Sequence, residues 1–290
     1  MTETDEVRLT LAEVEALARR VLEAHGCDAT NAAAIAANTT AAERDEARSH
    51  GLFRLPAHVR HLQEGVANGR ADLHLARPAP GVLRIEGRRA FAPVAHATGL
   101  APLAELARAQ GIAALAIRDV VHIAALWPEA EAVAAHGLVA LAVTSSPAYV
   151  APAGGTHPFF GTNPMAFAWP REGHPPMVWD QASSATARGE IMMAARAGEA
   201  VPEGAGIDAR GLPTTDPNAI LEGGAQLAFG GYKGAAIALM VDLLAGPLLD
   251  EVASHEASPG FPGALVPGGE LILAIDPAAF GGAPGLARAE

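Results

Sequence analysis

Apolar residues recur at helical spacing near the start of the chain, and the pattern predicts two helices in succession. The first covers residues 9–23, where Thr10 is a suitable N-cap and Glu13, three residues later, completes the pattern of a capping box. The second covers residues 29–43, is rich in alanine and is capped by Asp28 or Thr30.

A third apolar stripe follows and predicts another helix. The stripe is formed by Leu52, Leu55, Val59, Leu62 and Val66. Proline lacks a backbone N–H and is tolerated only in the first helical turn, so Pro56 indicates that this helix begins at about Leu55. Ser49 and His50 therefore lie on the approach to the helix and not in its interior.

From about residue 80 the chain alternates short apolar runs with helical patterns. Strands are predicted at "GVLRIEG", "GIAALAIRDV", "LVALAVTSS" and "GELILAID". Helices are predicted at "PVAHATGLAPLAELARAQ", at "WPEAEAVAAHG" and at "YKGAAIALMVDLLAGPLL", and we expect the last to be buried. The stretch 151–217 is rich in Gly, Pro and polar residues, which indicates ordered loops that form a site. This order of elements predicts a layered, mixed α/β protein.

Composition narrows the class of protein. The formal net charge of −12 disfavours a protein that binds nucleic acid through its overall electrostatic field. The N-terminus lacks a basic stretch followed by an apolar run, and Asp242 interrupts the most apolar stretch of the chain. The one cysteine, Cys27, excludes a disulfide within the chain, and we interpret it as a small buried residue and not as a catalytic thiol. We therefore expect a soluble cytoplasmic protein with neither a nucleic-acid nor a membrane partner.

A polar cluster lies just before the third helix. The stretch "EARSHGLFRLP" places Ser49, His50 and Arg54 within six residues. A hydroxyl, an imidazole and a guanidinium this close together are typical of an active site. They are also typical of a helix cap with ordinary surface residues, and the spacing alone favours that simpler interpretation.

Three later motifs carry residues that bind ligands in other proteins, and each has a simpler alternative. "FGGYKG" places Lys233 in a Gly-rich turn ahead of a helix. This arrangement suits the binding of a phosphate, and the alternative is a tight turn with a solvated lysine. "GTNP" places Thr162 in a rigid loop. This loop either binds a ligand or is a structural turn. "SSATARGE" carries Arg188, whose planar fork suits a carboxylate or phosphate, near Glu190, although such pairs are common on surfaces.

Histidines allow two further interpretations. His58 and His61 are three residues apart on one predicted helix, but no H-E-x-x-H pattern or carboxylate cluster accompanies them, so we predict no metal site. His122 follows a predicted strand and precedes a helix, which is a position where α/β proteins place ligand contacts. The alternative is a core histidine whose hydrogen bonds are satisfied within the protein. The sequence contains neither the G-x-G-x-x-G nor the G-x-x-x-x-G-K-[ST] nucleotide fingerprint.

Taken together, the motifs resemble one family. "SHGLFRLP", "GGTHPFFGTNPMAFAWP", "DQASSATARGE", "GLPTTDP" and "FGGYKG" occur in the order found in the malate/L-lactate dehydrogenase family of NAD(P)H oxidoreductases, which lack a Rossmann fold. The resemblance extends from the N-terminal helices to about Asp276. Within the family, "HIAALW" and "FGTNPMAFAWPR" are most similar to the Δ1-piperideine-2-carboxylate/Δ1-pyrroline-2-carboxylate reductases. Five motifs in the right order favour an active site over a helix cap for the polar cluster.

The resemblance also implies a fold, a cofactor and an assembly. It implies an N-terminal helical domain, residues 1–75, joined by the C-terminal segment 250–290. This domain would pack on a non-Rossmann NAD(P)-binding and substrate-site domain, residues 76–249, with a mostly antiparallel sheet. The implied cofactor is NADPH, with NADH as the alternative, and the implied assembly is a homodimer.

Roles for individual residues follow from the same resemblance. His50 would donate a proton, Ser49 would orient it, and Glu190, where the reductases carry aspartate, would be the relay carboxylate. Arg54 would hold the substrate carboxylate, since its fork can pair with a carboxylate bidentately. Further substrate contacts are implied for Thr162, Arg188 and Gly189. Cofactor contacts are implied for His122, Ile123, Ala124, Ala125, Leu126, Asp180, Gln181, Ala182, Tyr232 and Lys233.

Three functions remain open at this point. The leading prediction is NADPH-dependent reduction of cyclic imino acids, from Δ1-piperideine-2-carboxylate to L-pipecolate and from Δ1-pyrroline-2-carboxylate to L-proline. The first alternative is an NAD(P)-dependent 2-hydroxyacid dehydrogenase of the malate, lactate or ureidoglycolate type, because the same residues would serve a keto acid. The second is a binding or regulatory protein without turnover. The joint presence of Ser49, His50, Arg54 and Lys233 speaks against this last function.

Overall fold

The computed structural model describes residues 7–257, 268–282, 285 and 288. Its N-terminal part consists of three helices, α1 (Leu11–Ala24), α2 (Ala29–Arg44) and α3 (Leu55–Gln63). The predicted capping box is confirmed, because Thr10 accepts a hydrogen bond from the Glu13 amide and donates its own amide to the Glu13 carboxylate. Asp28, and not Thr30, caps α2. Pro56 lies in the first turn of α3, as predicted.

The N-terminal helices share an apolar core with the rest of the chain. Leu22, Ile35 and Leu55 pack in one cluster with Phe91 and Val121, which belong to the strands described next. Cys27 lies in the same cluster, and burial raises the pKa of its thiol to about 11. The prediction that this cysteine is a buried residue is therefore confirmed. A thiol with this pKa is not a reactive thiolate near neutral pH.

Eleven strands and five further helices make up the remainder of the described chain. The strands are β1 (Leu75–Ala79), β2 (Val82–Phe91), β3 (Ile112–Val121), β4 (Val139–Thr144), β5 (Val150–Ala151), β6 (Met165–Arg171), β7 (His174–Gln181), β8 (Gly206–Ile207), β9 (Pro213–Thr214), β10 (Ala225–Leu227) and β11 (Glu270–Ile275). The helices are α4 (Ala92–Gln110), α5 (Trp127–Ala135), α6 (Arg188–Ala197), α7 (Pro217–Leu221) and α8 (Tyr232–Ala245). Short 3₁₀ turns occupy Leu52–Arg54, Pro247–Leu249 and Pro277–Ala279.

Seven of the strands form the central sheet, in the order β1-β2-β3-β11-β4-β6-β7. Strands β2 and β3 pair in parallel, and the other five pairings in this sheet are antiparallel. The predicted mixed α/β fold with a mostly antiparallel sheet is therefore confirmed. A second, four-stranded sheet has the order β5-β10-β8-β9 and contacts α7.

Helices cover both faces of the central sheet. Successive side chains of a strand point to opposite faces, so Leu115 and Ile117 of β3 enter the core beneath α4 and α5, whereas Ala116 enters the core beneath α8. Val241 of α8 packs in that second core with Val143 of β4. This layering places the C-terminal end of β3 and the start of α5 next to the N-terminal helices.

Two sequence predictions differ from the structure. The stretch 151–217 is not a run of loops alone, because it contains the hairpin β6–β7 and the helix α6. The prediction that the helix of "YKGAAIALMVDLLAGPLL" is buried is also wrong. One side of α8 packs on the sheet, while Leu239, Met240, Leu243 and the following Leu248 are exposed.

Strand β11, from the C-terminal part of the described chain, lies between β3 and β4 at the centre of the sheet. The implied division into domains stays a prediction. Among the described residues, the stretch 232–249 has the length and apolar composition of a membrane span, but 44% of it is buried inside the protein. Within it, the Asp242 carboxylate accepts a hydrogen bond from the Ser254 amide at 3.0 Å.

Candidate active site

A cavity of about 790 Å³ lies where four parts of the fold meet, and its size is typical of a ligand site. Its walls are the turn before α3, the segment between β3 and α5, the hairpin β6–β7 and the first turn of α6. Residues that the sequence singled out line it together. They are Ser49, His50, Arg54, Ala124, Leu126, Thr162, Asp180, Gln181, Ala182, Arg188, Gly189 and Glu190.

Ser49 and His50 form a hydrogen-bonded pair in the turn before α3. The Ser49 hydroxyl lies 3.0 Å from His50 Nδ1, and no described residue bonds His50 Nε2. The turn is held from α2, because the Glu43 carboxylate accepts the Leu52 amide at 2.7 Å. Burial, and then the nearby Arg54 charge, lowers the pKa of His50 to about 4. His50 is therefore a neutral imidazole in the free protein near neutral pH.

Two arginines bring unpaired positive charge to the cavity. Arg54 Nε donates to the Ser49 carbonyl at 2.7 Å, which leaves the two terminal nitrogens of its guanidinium for a ligand. The Arg188 guanidinium lies 3.7 Å from the centre of the Tyr149 ring. Burial lowers the pKa of both groups, and neither forms an ion pair with a carboxylate in the described part of the chain. Two partly desolvated cations without counter-ions indicate a site for an anion.

The residues after Arg188 differ in how closely they approach the Ser49–His50 pair. A Cβ atom at Gly189 would lie 2.9 Å from both Arg54 Nη2 and Ser49 Cβ, so any larger residue would displace the cluster. Glu190 lines the same cavity from the first turn of α6 but is exposed. Its carboxylate makes no hydrogen bond or ion pair with His50 or with another described residue. A relay role for Glu190 therefore stays a prediction.

Thr162 lies on a loop that is fixed from several directions. Its amide donates to the Ser146 hydroxyl at 2.9 Å, and its carbonyl accepts the Ser183 amide at 2.7 Å. The next residue, Asn163, is fully buried with a φ of 36° and donates its side-chain amide to the Ala238 carbonyl at 2.9 Å. Asn163 is thus a structural anchor, and the loop presents Thr162 to the cavity.

The segment between β3 and α5 forms another wall. Ala124 and Leu126 line the cavity, whereas Ala125 is buried behind them. The Leu126 amide donates to the Asp180 carboxylate at 3.1 Å, which ties the segment to the end of β7. Burial raises the pKa of Asp180 to about 6.

His122 faces the core and does not line the cavity, which agrees with the core alternative in the sequence analysis. Its Nε2 lies 3.7 Å from a carboxylate oxygen of Glu270, and His96 Nε2 lies 2.7 Å from the same oxygen. His96 Nδ1 is 3.8 Å from Glu129, whose pKa is raised well above its usual value by burial and then by Glu270. Four potential ligand atoms thus lie within 4.8 Å of one another, so the predicted absence of a metal stays a prediction. His58, by contrast, bonds the Ile123 carbonyl at 2.9 Å.

Tyr232 and Lys233 lie outside the cavity lining. Both are exposed in the first turn of α8, after Gly230 and Gly231, whose φ angles of 57° and 64° favour glycine. The Phe229 amide donates to the Ser183 carbonyl at 3.1 Å, so this turn adjoins the segment that leaves the cavity after Ala182. Their role in cofactor binding stays a prediction.

The cavity also contains residues that the sequence analysis missed. Asp45 accepts the indole N–H of Trp127 at 2.8 Å, and Arg44 joins Asp45 to Glu131 by contacts of 2.6 and 2.8 Å. The further lining residues that were missed are Glu46, Ala47, Arg48, Pro164, Pro176, Val178, Trp179, Ala187 and Met193. Asp45 directly precedes "EARSHGLFRLP" and Trp127 directly follows the predicted contact residues 122–126, so one more residue at each of these stretches would have found both.

The sequence profile of the malate/L-lactate dehydrogenase family matches residues 9–289. This chain belongs to that family. Among curated members, it is similar to the Δ1-pyrroline-2-carboxylate/Δ1-piperideine-2-carboxylate reductase of Pseudomonas aeruginosa. The two are 49% identical over 289 residues, which cover 98% of this chain and 86% of that protein. The family resemblance noted in the sequence is therefore confirmed.

Solved structures agree with this membership. The Δ1-piperideine-2-carboxylate reductase of Pseudomonas syringae superposes with a TM-score of 0.91 at 40% identity, covering 98% of this chain and 86% of that one. A protein from E. coli, described as a putative malate/lactate dehydrogenase, superposes with a TM-score of 0.90 at 30% identity, covering 98% of this chain and 80% of that one. The malate/L-lactate dehydrogenase fold is thus shared over nearly the whole chain.

Proposed function

We propose that this protein reduces cyclic imino acids with NADPH, converting Δ1-piperideine-2-carboxylate to L-pipecolate and Δ1-pyrroline-2-carboxylate to L-proline. The observation that carries the proposal is the unpaired guanidinium pair, Arg54 and Arg188, beside the imidazole of His50 in one cavity. The names of the relatives from P. aeruginosa and P. syringae support an imine in preference to a keto acid.

Arg54 and Arg188 would bind the substrate carboxylate. The Nε bond to the Ser49 carbonyl fixes the Arg54 fork, and the Tyr149 ring supports Arg188, so both cations are held in place before a ligand arrives. A carboxylate paired with a fixed fork can adopt few orientations, which places the adjacent C=N bond beside His50. Thr162, on its anchored loop, would also contact the substrate.

Reduction adds a hydride to the imine carbon and a proton to the imine nitrogen. A bound reduced nicotinamide supplies the hydride. His50 would supply the proton through Nε2, because Ser49 engages Nδ1. The pKa of His50 is about 4 in the free protein. Burial is the main cause of this low value, and a carboxylate bound at Arg54 would offset the second cause, the positive charge of Arg54.

The described residues fit a nicotinamide cofactor. The cavity has the volume of a ligand pocket, and Leu126, Val178 and Met193 give it apolar walls suited to a flat ring. The Gly-rich turn with Tyr232 and Lys233 adjoins, at Ser183, the segment that leaves the cavity after Ala182, which supports a role in binding the cofactor phosphates. The preference for NADPH over NADH rests on the family resemblance and belongs to the proposal.

A 2-hydroxyacid dehydrogenase is the second candidate. The unpaired guanidiniums would bind a 2-oxo acid as well as an imino acid, and the family description names malate and L-lactate. NADPH oxidation with Δ1-piperideine-2-carboxylate, Δ1-pyrroline-2-carboxylate, pyruvate and oxaloacetate, measured side by side, separates the two. The proposal predicts faster turnover with the imines. Turnover with the keto acids alone would replace it with the second candidate.

We also propose a homodimer and a cytoplasmic location. The dimer is supported by the exposed apolar face of α8, which a second copy would cover. Light scattering should give twice the chain mass, and Leu243→Lys should reduce it to one chain mass. Met177→Lys, at another exposed apolar position, is the matched control and should not change the mass. A monomeric unaltered protein would contradict the dimer.

A further inference from the structure

Four ionisable side chains meet in the core of the central sheet, and we call them the buried cluster. His96 comes from α4, His122 directly follows β3, Glu129 lies in the first turn of α5 and Glu270 begins β11. One potential ligand atom of each lies within 4.8 Å of the others. None of the four lines the cavity, so the chemistry proposed above does not use them.

The buried cluster is shielded from water on all sides. The side chains of Glu129 and Glu270 are 0% exposed, and those of His96 and His122 are 7% and 8% exposed. Ala95, which precedes His96, belongs to the main apolar core of the sheet. Within the described chain, the two carboxylates form ion pairs only with the two histidines. Two carboxylates in such surroundings carry a charge that water cannot solvate, so they need a positive partner.

Hydrogen bonds within the buried cluster leave several polar atoms without a partner. His96 Nε2 bonds a carboxylate oxygen of Glu270 at 2.7 Å. His122 Nε2 lies 3.7 Å from that oxygen, which is too far for a hydrogen bond. In the described part of the chain, no residue bonds His122 Nε2, either oxygen of Glu129 or the second oxygen of Glu270. Buried polar atoms normally have partners, so these four atoms indicate a bound group that the protein itself does not provide.

A proton on Glu129 is one way to complete the buried cluster, and a divalent cation is the other. The proton would let Glu129 donate to Glu270 and would remove one negative charge. It would still leave His122 Nε2 and the second oxygen of Glu129 without a partner. A divalent cation accepts one atom from each of the four side chains and balances both carboxylate charges. The cation therefore accounts for more of the unpaired atoms than the proton does.

We propose that His96, His122, Glu129 and Glu270 bind one divalent metal ion of the Zn²⁺ type. Four side chains complete the tetrahedral coordination that Zn²⁺ adopts in structural sites, whereas Mg²⁺ and Ca²⁺ prefer six or more oxygen ligands. Ligand atoms about 2.0–2.2 Å from such an ion lie about 3.3–3.6 Å apart. Side-chain shifts of about 1 Å or less would form this site from atoms that lie within 4.8 Å of one another.

The ion would join α4, α5 and β11 to the end of β3, so its role is structural. The inference is contrary to the prediction of no metal site that was made from the sequence. It does not depend on the proposed function, because none of its ligands takes part in the proposed reduction. Binding of the metal can therefore be tested without an activity assay.

Metal content and cobalt spectroscopy test the site. The chain is produced in minimal medium that contains added Zn²⁺ alone or added Co²⁺ alone, so that the ion enters while the protein folds, and is then dialysed against a chelator. The variants are Glu129→Gln and His96→Gln. His74→Gln is the matched control, because His74 lies 3.8 Å from Asp72 on the surface, where an adventitious ion would bind. Mass spectrometry with an inductively coupled plasma gives the metal per chain, and the melting temperature reports on folding.

The unaltered chain and His74→Gln should each hold about one ion per chain after dialysis, because structural zinc sites bind at about 100 nM or tighter. The Co²⁺ protein should show the visible absorption bands of a tetrahedral ion. Glu129→Gln and His96→Gln should lose the ion, because losing a ligand weakens binding by more than the 10- to 100-fold that is typical for an outer-shell partner.

The melting temperature of Glu129→Gln separates the ion from a shared proton. The new amide can still donate a hydrogen bond to Glu270, so a shared proton predicts an unchanged melting temperature. Loss of the ion predicts a decrease of about 5 °C or more relative to the metal-loaded unaltered chain.

Several outcomes would overturn the inference. An unaltered chain without stoichiometric metal from either medium contradicts it and favours the shared proton. Metal that is retained in full by either variant, or that is lost in His74→Gln, is bound elsewhere and contradicts it as well. Where the variants do not fold, the Co²⁺ spectrum of the unaltered chain decides. An octahedral spectrum, as expected of a surface ion that keeps water ligands, would contradict the closed four-ligand site.

Discussion

The replacement Arg54→Lys tests whether this guanidinium binds the substrate carboxylate. The structure fixes the fork by the bond from Nε to the Ser49 carbonyl at 2.7 Å and leaves its two terminal nitrogens without a described partner. Lysine keeps the positive charge but has neither the fork nor the Nε donor. The change therefore removes bidentate pairing while the charge of the cavity stays the same.

The expected loss follows from the number of hydrogen bonds. A hydrogen bond to a charged group contributes about 1.5–3 kcal/mol net, and lysine can replace one of the two. We therefore expect a loss of about 2–3 kcal/mol, which corresponds to an increase in KM of about 30- to 150-fold. The value of kcat should change less, because the carboxylate stays bound at Arg54 in both the ground state and the transition state.

Initial rates of NADPH oxidation at varied Δ1-piperideine-2-carboxylate give both constants. Arg196→Lys is the matched control, because Arg196 lies over the same Phe53 ring as Arg54, at 4.6 Å against 5.8 Å, but does not line the cavity. The control should leave KM unchanged. A folded Arg54→Lys protein with an unchanged KM would remove Arg54 from the carboxylate site.

Three further predictions concern other parts of the site and its surroundings. His50→Ala should lower kcat at least about 100-fold in stopped-flow assays while NADPH affinity, from fluorescence titration, stays within about twofold; loss of both without unfolding would contradict a proton donor. Gly189→Ala should raise KM about tenfold, because its Cβ would lie 2.9 Å from Arg54 Nη2, and an unaffected KM would show that the cluster adapts. Burial lowers the pKa of His58 from 6.5 to about 4, so the unfolded state binds the proton more tightly and stability should fall as pH decreases from about 6.5 to 4. His58→Gln should flatten this dependence in urea unfolding at pH 7 and pH 5, and an equally steep loss of stability would contradict it.

The N-terminal helices could be predicted from the sequence because their signals are local. The capping box of Thr10 and Glu13 and the position of Pro56 each involve residues within one turn of each other. Such signals act through hydrogen bonds and backbone geometry that do not depend on the rest of the fold. The beginnings of α1 and α3 were therefore predicted to within two residues.

The hairpin β6–β7 and the helix α6 were missed for identifiable reasons. Strand β7 is an edge strand that is largely exposed, and it carries Pro175 and Pro176, so it lacks apolar alternation. Helix α6 has only Gly189 and Ile191 buried, which gives no apolar stripe. The burial of α8 was overestimated because its residues are apolar all round, and that pattern does not tell whether a face is covered by the same chain.

The candidate site could be predicted only in part. Spacing alone favoured a helix cap for Ser49, His50 and Arg54, and only the order of distant motifs reversed that interpretation. The structure brings Arg188 to the same cavity from more than 130 residues away, which no local pattern encodes. The hydrogen bonds of Asn38 to Ala125 are likewise invisible in the sequence, because they join residues 87 positions apart.

The central claim is hydride transfer from reduced nicotinamide to the carbon that bears the substrate carboxylate. It is tested most directly with NADPH that carries deuterium in place of both hydrogens at C4 of the nicotinamide ring and with Δ1-piperideine-2-carboxylate as substrate. Mass spectrometry and NMR of the product should find pipecolate with one deuterium on the carbon next to the carboxylate. Pipecolate without deuterium at that carbon, or oxidation of NADPH without pipecolate, would contradict the account.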